Sequence, residues 1–541
     1  MNCSVTKISR AIPQTSRSRP LTHSTRFRIA SPTVTTTTDT HTRPATVANR
    51  TVLHTQYPFS TCSIPRHPKM SVPVQKKKPI NLLRGWPAPS LLPAAAISAA
   101  AVKTLADPTV YVPGLQYGPD PGWQPLREAL AQWLSAFYPA APATAAEAEK
   151  QVVDPESRRH HEPDSNRICI TGGASQNLAC ILQSFTDPLY TQNIWMVAPC
   201  YFLACPIYAD AGFDGRLKSV PEDDEGIDLE YLRKGLEAAG KGSGKRFKLA
   251  GKRKLYRHVI YLVPTCSNPT GKTMTLSRRY ELVRLAREYD ALIIADDVYD
   301  FLQWPVDSPP DGTYTPAMRL PRLVDVDRAL GVPDDSFGNV VSNGSFSKIV
   351  GPGVRTGWAE GSPAFAYGLS QTGSSCSGGA PSQLAAMFMA EMLKSGVIQK
   401  HIDENTRPAL AKRHKVMMNA VDEYILRPFG GGIKMKQSSL EGAGIYGGYF
   451  VWFSLPEGMS SREAAARAKD TEELIIGHGG QFEVHGDEDS VRLGREIRLC
   501  FSWEPEDDIV EGIQRLARVL KSMRDGEEWT PSSRFDVDNA K

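Results

Sequence analysis

The chain reads as an α/β protein built on a mostly parallel sheet, and three stretches predict this. Val259-Ile260-Tyr261-Leu262-Val263 and Ala291-Leu292-Ile293-Ile294-Ala295 are short apolar, β-branched runs without polar alternation. Such runs mark strands buried on both faces, as in parallel sheets. Ile168-Cys169-Ile170-Thr171 then runs through Gly172-Gly173 into Ala174-Ser175-Gln176-Asn177-Leu178. That is a strand, a Gly-rich turn and a helix start. Polar residues follow the apolar runs, where open α/β sheets bind ligands.

The remaining elements are justified in chain order. The first seventy or so residues are rich in Ser, Thr, Arg and Pro, and Asp39 is their only acid. Such a stretch builds no core. Residues 1–79 are therefore expected to be a disordered or targeting extension. Two readings stand: a mitochondrial transit segment, which is Arg- and Ser-rich and poor in acids, or a true start at Met70. Cytoplasmic and mitochondrial locations both follow. Leu126 to Phe137 has helical amphipathic spacing. Residues 139–166, 238–258 and 303–336 read as insertions: Ala/Pro-rich then charged, basic, and irregular. The basic one carries Lys241, Lys245, Arg246, Lys248, Lys252, Arg253, Lys254 and Arg257 without an acid. It lacks interleaved aromatics, so a solvated loop is expected rather than a nucleic-acid or lipid surface. Ala385 to Leu393 has a Met-rich face suited to core or dimer packing. Ile497, Leu499 and Phe501 alternate as in a half-buried strand, with Arg498 and Cys500 on its other face. Residues 526–541 read as a tail.

Composition excludes several classes. The net charge of +4 is modest and argues for no particular partner. Nine cysteines show neither CxxC nor zinc-ligand spacing, so no metal is expected. Cys169, Cys180, Cys200, Cys266 and Cys500 sit in apolar or strand contexts, as buried reduced thiols do. No apolar run approaches the ~20 residues of a membrane span.

The chemistry centres on Lys348, in Ser345-Phe346-Ser347-Lys348-Ile349-Val350-Gly351-Pro352-Gly353-Val354-Arg355. An amine flanked by hydroxyls, with glycines and an arginine seven residues on, suits a Schiff-base lysine beside a phosphate site. Read alone, it could also be a surface lysine in a Gly/Ser loop. Upstream stand Asn268-Pro269-Thr270-Gly271, a turn on local grounds, and Asp296-Asp297-Val298-Tyr299, whose acids could simply cap a helix.

The three motifs, in this order, resemble those of the class I/II aminotransferases of fold-type I, over roughly residues 80–525. The Ser-Phe-Ser-Lys and Asp-Asp-x-Tyr forms look most like the aromatic, kynurenine and 2-aminoadipate branch. The resemblance implies a large doubly wound part, about 115–395, and a small α/β part from 80–114 plus 396–525. It implies pyridoxal 5'-phosphate on Lys348, with Asp296 rather than Asp297 at the pyridine nitrogen, because the family's acid lies three residues before the tyrosine. Asn268 and Tyr299 would meet the phenolic oxygen. Ser345, Ser347, Arg355, Ser175 and the amides at Gly173 and Ala174 would hold phosphate. Relatives often have Ser-Gln where Ala174-Ser175 stand, which leaves that side-chain contact open. Tyr201 would stack on the ring, or else pack in the core.

Arg498 resembles the arginine that grips the substrate α-carboxylate; Arg492 and Arg495 nearby keep a solvated basic face as the alternative. Asn81-Leu82-Leu83-Arg84-Gly85-Trp86-Pro87 resembles the segment over the substrate, with Gly85 leaving room for the carboxylate or serving as a plain turn glycine. Tyr117 lies in an element whose tyrosine crosses to a partner's cofactor, which implies a homodimer. The implied activity is transfer of an amino group from an amino acid to a 2-oxo acid. A C–S β-lyase or aminocyclopropane-carboxylate synthase would share these motifs. A regulator of this fold would need a helical DNA-binding domain that the N-terminus does not resemble.

Overall fold

The central sheet has eight strands: β1 (Ile168–Thr171), β2 (Asn193–Ala198), β3 (Leu217–Asp223), β4 (Gly226–Ile227), β5 (His258–Leu262), β6 (Ala291–Asp296), β7 (Val340–Ser345) and β8 (Gly357–Glu360). In this computed structural model their order is β1-β8-β7-β6-β5-β2-β3-β4. Strands β7, β6, β5, β2 and β3 run parallel, while β8 is antiparallel to both β1 and β7. The structure describes residues 77–153, 159–240, 244–248, 253–306, 318–331, 333, 336–378, 381–435 and 444–531. The readings of residues 1–76 and of most of the tail lie outside these.

Period-2 alternation sorts the strand residues onto two cores. Ile194, Met196, Val259, Tyr261, Leu292, Ile294 and Val341 pack on one face, with Leu178, Ile181 and Phe185 of the helix Ala174–Phe185. Trp195, Val197, Ile260, Leu262, Ile293, Ala295 and Val340 pack on the other, with Leu282, Val283 and Ala286 of Leu276–Glu288. Both faces are dry, which is why the strands read as unbroken apolar runs. Fully burying each such large side chain contributes about 1.5–3 kcal/mol.

A second, four-stranded antiparallel sheet holds β9 (Lys434–Met435), β10 (Phe450–Ser454), β11 (Gly477–His478) and β12 (Glu496–Cys500), ordered β9-β10-β12-β11. The start of the described residues joins this region, since Ile80–Asn81 pairs in parallel with Leu474–Ile475. Strand β12 departs from the half-buried expectation. Arg498 is only 4 % exposed and Cys500 is buried. The face away from Ile497 and Leu499 meets the N-terminal segment instead of water, so the solvated basic face is excluded.

Where they are described, the three insertions are more ordered than expected. Ala145–Val153 is a helix that packs on Leu276–Glu288 and buries Ala148, and Tyr280 Oη donates to Pro142 O at 2.7 Å. The basic stretch is not simply solvated. The amides of Phe247 and Lys248 bond Asp187 Oδ2, so the acid it lacks comes from elsewhere in the chain. Its end buries Leu255 and Tyr256. Residues 303–336 are not an irregular excursion where described. Gln303–Pro305 pairs antiparallel with Ile445–Gly447, and the helix Leu323–Ala329 buries Leu323, Val324 and Val326. The Met-rich helix Gln383–Lys394 buries Met387, Met389 and Met392. No described helix is long and apolar enough to cross a membrane.

Arg322 fastens the last insertion. Its guanidinium, 3 % exposed, pairs with Asp325 at 3.0 Å and with Glu360 of β8 at 2.8 Å. Removing one partner of a buried pair strands the others. Arg322→Met is expected to destabilise the protein by about 3–5 kcal/mol, read as a shift of the urea midpoint. A loss below roughly 1 kcal/mol would show that the carboxylates find water or another cation.

Candidate active site

A cavity of about 370 Å³ opens between the C-terminal ends of the central strands and the segment 83–87. Among the residues lining it are Gly85, Ala174, Ser175, Tyr201, Asn268, Asp296, Tyr299, Ser345, Ser347, Lys348, Arg355 and Arg498. The structure thus brings together nearly every residue singled out from the sequence.

Lys348 ends the short turn Phe346–Lys348 that follows β7. Its Nζ donates to Gly85 O at 2.8 Å and lies 5.8 and 5.3 Å from the ring centroids of Tyr299 and Tyr449. Removal of the amine from water pulls its pKa down to about 8, opposed by the negative potential of Cys500 and Asp296. Asp296 ends β6. Its Oδ2 accepts from Tyr261 Oη at 2.9 Å, and among the described residues its buried Oδ1 has no partner. Burial pushes its carboxyl up to about 6, against the Tyr261 hydrogen bond and the Lys348 charge. Asp297 faces away from the cavity. It accepts from Ser342 Oγ, and burial followed by repulsion from Asp300 raises its pKa well above the usual range.

Arg498 is fixed from two sides. Nη1 donates to Asn268 Oδ1 at 2.7 Å, Nη2 to Leu83 O, and the guanidinium lies 4.1 Å from the Phe450 ring centroid. Burial lowers its pKa to about 10, so it stays cationic at neutral pH. Ser345 Oγ bonds Ser347 Oγ at 2.8 Å. Arg355 has left-handed backbone (φ 45°) and donates to Gly172 O at 2.8 Å. It approaches Gly173 so closely that a Cβ there would lie 2.7 Å from Arg355 Nη2. Gly173 therefore shapes the site from behind rather than lining it. The helix starting at Ala174 has no side-chain cap at its N-terminus, which leaves first-turn amides for an anion. At Gly85 a Cβ would lie 2.7 Å from Phe450 Cζ, a close approach that a plain turn glycine does not need. Tyr117 is the exception. It is 86 % exposed and does not line the cavity.

The family model "Aminotransferase class I and II" matches residues 101–516. An uncharacterized protein of Saccharomyces cerevisiae is 34% identical over 83% of this chain and 98% of its own. The chain belongs to the class I and II aminotransferase family. Aromatic-amino-acid aminotransferase 1 of Thermococcus litoralis is 28% identical over 83% of this chain and 89% of its own. Among solved structures, an alpha-aminoadipate aminotransferase of Thermus thermophilus, complexed with N-(5'-phosphopyridoxyl)-L-leucine, superposes with a TM-score of 0.61 at 26% identity. That match covers 83% of this chain and 93% of the other.

The protein is a pyridoxal-phosphate-dependent aminotransferase, and its cavity suits that cofactor. The orphaned Oδ1 of Asp296 fits a protonated ring nitrogen, an amine of lowered pKa fits an aldehyde, and hydroxyls, amides and Arg355 fit phosphate. The sequence reading missed Tyr261, which holds Asp296, and Phe450, which lies under Arg498. It also missed Phe202 and Leu203 in the wall. Tyr261 looked like any residue of a buried strand; only its alternation with Ile260 hinted at the side it faces.

In the cofactor-free protein, labelling of Lys348 by an amine-reactive reagent, followed by peptide mapping, is expected to climb with pH and level off above about 8. An ordinary lysine keeps gaining reactivity towards 10.5. A Lys348 midpoint there would mean that the amine is fully hydrated.

Proposed function

We propose that this aminotransferase takes an amino donor with a large apolar or aromatic side chain and passes its amino group to a 2-oxo acid. The wall carries that reading: Leu83, Trp86, Phe202, Leu203 and Phe450 line the cavity beside Arg498. Relatives named for aromatic amino acids and for tyrosine support the donor, and a relative named for 2-aminoadipate supports the amino-group transfer. They also favour transfer over elimination.

When bound, pyridoxal phosphate supplies the electron sink for the charge left on the substrate's α-carbon. The chain's own residues do the rest in this proposal. Ser345, Ser347, Arg355, Ser175 and the amides at the helix start hold the phosphate. Asp296 keeps a proton on the ring nitrogen, and that cation offsets the cost of an ionised carboxylate in a buried place. Asn268 and Tyr299 orient the phenolic oxygen, and Tyr201 covers the ring. Arg498 binds the α-carboxylate through its guanidinium fork. Lys348, with a pKa near 8, is in part neutral at physiological pH. It can therefore take a proton from the α-carbon and return it elsewhere.

The working form in this proposal is a homodimer in which Tyr117 reaches the partner copy's cavity. Its exposure supports this, as do Val102, Val112 and Leu115, large apolar side chains left in water on the same stretch of chain.

Adding an aromatic amino acid without any oxo acid is expected to convert the bound cofactor stoichiometrically to its amine form, without ammonia. Catalytic ammonia release would move the assignment to a lyase. In Arg498→Ala, binding of carboxylate substrates should weaken by roughly 2–5 kcal/mol while the cofactor stays bound. Unchanged substrate affinity would remove Arg498 from its role.

A further inference from the structure

Four cationic residues line the cavity, Arg84, Lys348, Arg355 and Arg498, against one carboxylate, Asp296. The proposed chemistry uses three of them: the amine, the phosphate ligand and the α-carboxylate ligand. Arg84 is left over. Among the described residues its guanidinium makes no hydrogen bond or ion pair, and its Nε is removed from water without a partner. It is held instead by aromatic faces. Its Cζ lies 4.7 Å from the ring centroid of Trp86 and 5.1 Å from that of Trp503. The two indoles meet edge-on at 5.7 Å.

The backbone beneath is fixed. Asn81 Oδ1 accepts from the amides of Leu83 and Arg84 at 3.0 and 2.9 Å, and Ser502 Oγ donates to Trp86 O at 2.7 Å. The neighbours on either side are tied to the chemistry. Leu83 O accepts from Arg498, and Gly85 O accepts from Lys348. Arg84 therefore stands on the chain between the carbonyl that holds the carboxylate-binding arginine and the one that holds the reactive lysine.

We propose that Arg84 determines specificity by binding the distal carboxylate of a dicarboxylic amino or oxo acid. This rests on the reading that Arg498 takes the α-carboxylate. Cation–π contact with the indoles stabilises the guanidinium without using its N–H groups, which stay available for a carboxylate in a fork arrangement. No protein carboxylate has to be displaced first. A substrate with one carboxylate leaves Arg84 on its indoles, so the same pocket accepts an apolar side chain without stranding a buried, wholly unpaired charge.

The test uses the full-length holoenzyme with its cofactor first converted to the amine form. The return reaction is followed by absorbance with 2-oxoglutarate and with 2-oxopentanoate, which has the same chain length but lacks the second carboxylate. In Arg84→Gln the ratio of the two kcat/KM values should fall by about tenfold or more, the loss expected for a charge-assisted bond. Arg84→Lys should keep part of it. A ratio that is unchanged, or already near one in the wild type, overturns the proposal. So does an equal fall for both acids, which is the mark of a structural role. Calorimetric titration of the holoenzyme with glutarate against pentanoate reads the same preference without turnover. It decides on Arg84 even where no aromatic donor converts the cofactor, the result that would sink the donor assignment instead. A glutarate preference that survives Arg84→Gln overturns the proposal on its own.

Discussion

The active site depends on one buried cation. Arg498 comes from the C-terminal strand β12, yet its two hydrogen bonds go to Asn268, in the turn after β5, and to Leu83, near the start of the described chain. Segments separated by 230 and 415 residues thus converge on one guanidinium. Among the described residues no carboxylate pairs with it, and its Nε lacks a partner. Burying a charge on those terms costs stability unless dipoles and ring faces compensate. Asn268 Oδ1, Leu83 O, Phe450 and Phe482 supply that compensation in part. The remainder is what makes the place attractive to an anion.

The second constraint is the period of a strand. Asp296 and Asp297 are adjacent, so they leave the end of β6 on opposite sides. Asp296 enters the cavity with one oxygen held by Tyr261 and one left over. Asp297 enters a separate polar core with Asp300 and Ser342, where Tyr138 Oη bonds Asp300 Oδ2 at 2.9 Å. A displacement by one residue would exchange a reactive carboxylate for a structural one. The strand's register against β5 and β7, set by burial on both faces, therefore decides which acid meets the ligand.

This explains how much could be read in advance. Strands β5 and β6 were legible to within a residue because both their faces are dry. The motif residues were legible because three polar motifs stand in one order after buried strands, although each alone has a local explanation. Arg322, Asp187 and the insertions were not, because what orders them is a partner far along the chain: Glu360 for one, the amides of Phe247 and Lys248 for the other. The second face of β12 was misjudged for the same reason. Alternation shows that two faces differ, but not that a segment some 415 residues away covers the polar one. Phe450 and Tyr261 have the composition of core residues and gain a role only through what stands beside them.

The segment carrying Leu83, Arg84 and Gly85 has almost no sheet of its own, only the two-residue pairing with Leu474–Ile475. Backbone bonds of Leu82 to Ile475 and Cys500 hold its start, and beyond them it is held by side chains, of which Arg498 and Lys348 are the groups the chemistry needs. Lys348 cannot keep its bond to Gly85 O and also join an aldehyde. Arg498 gives one N–H of each terminal nitrogen to protein oxygens and keeps its other N–H groups for a carboxylate. Each bond to this segment that is given up must be matched by one to the bound molecules, so the observed affinity is a difference between two sets of hydrogen bonds rather than the sum of the new ones. That exchange ties the position of the segment to occupancy of the site. At Gly85 a Cβ would lie 2.7 Å from Phe450 Cζ, so the segment can sit this close to the ring only without a side chain there.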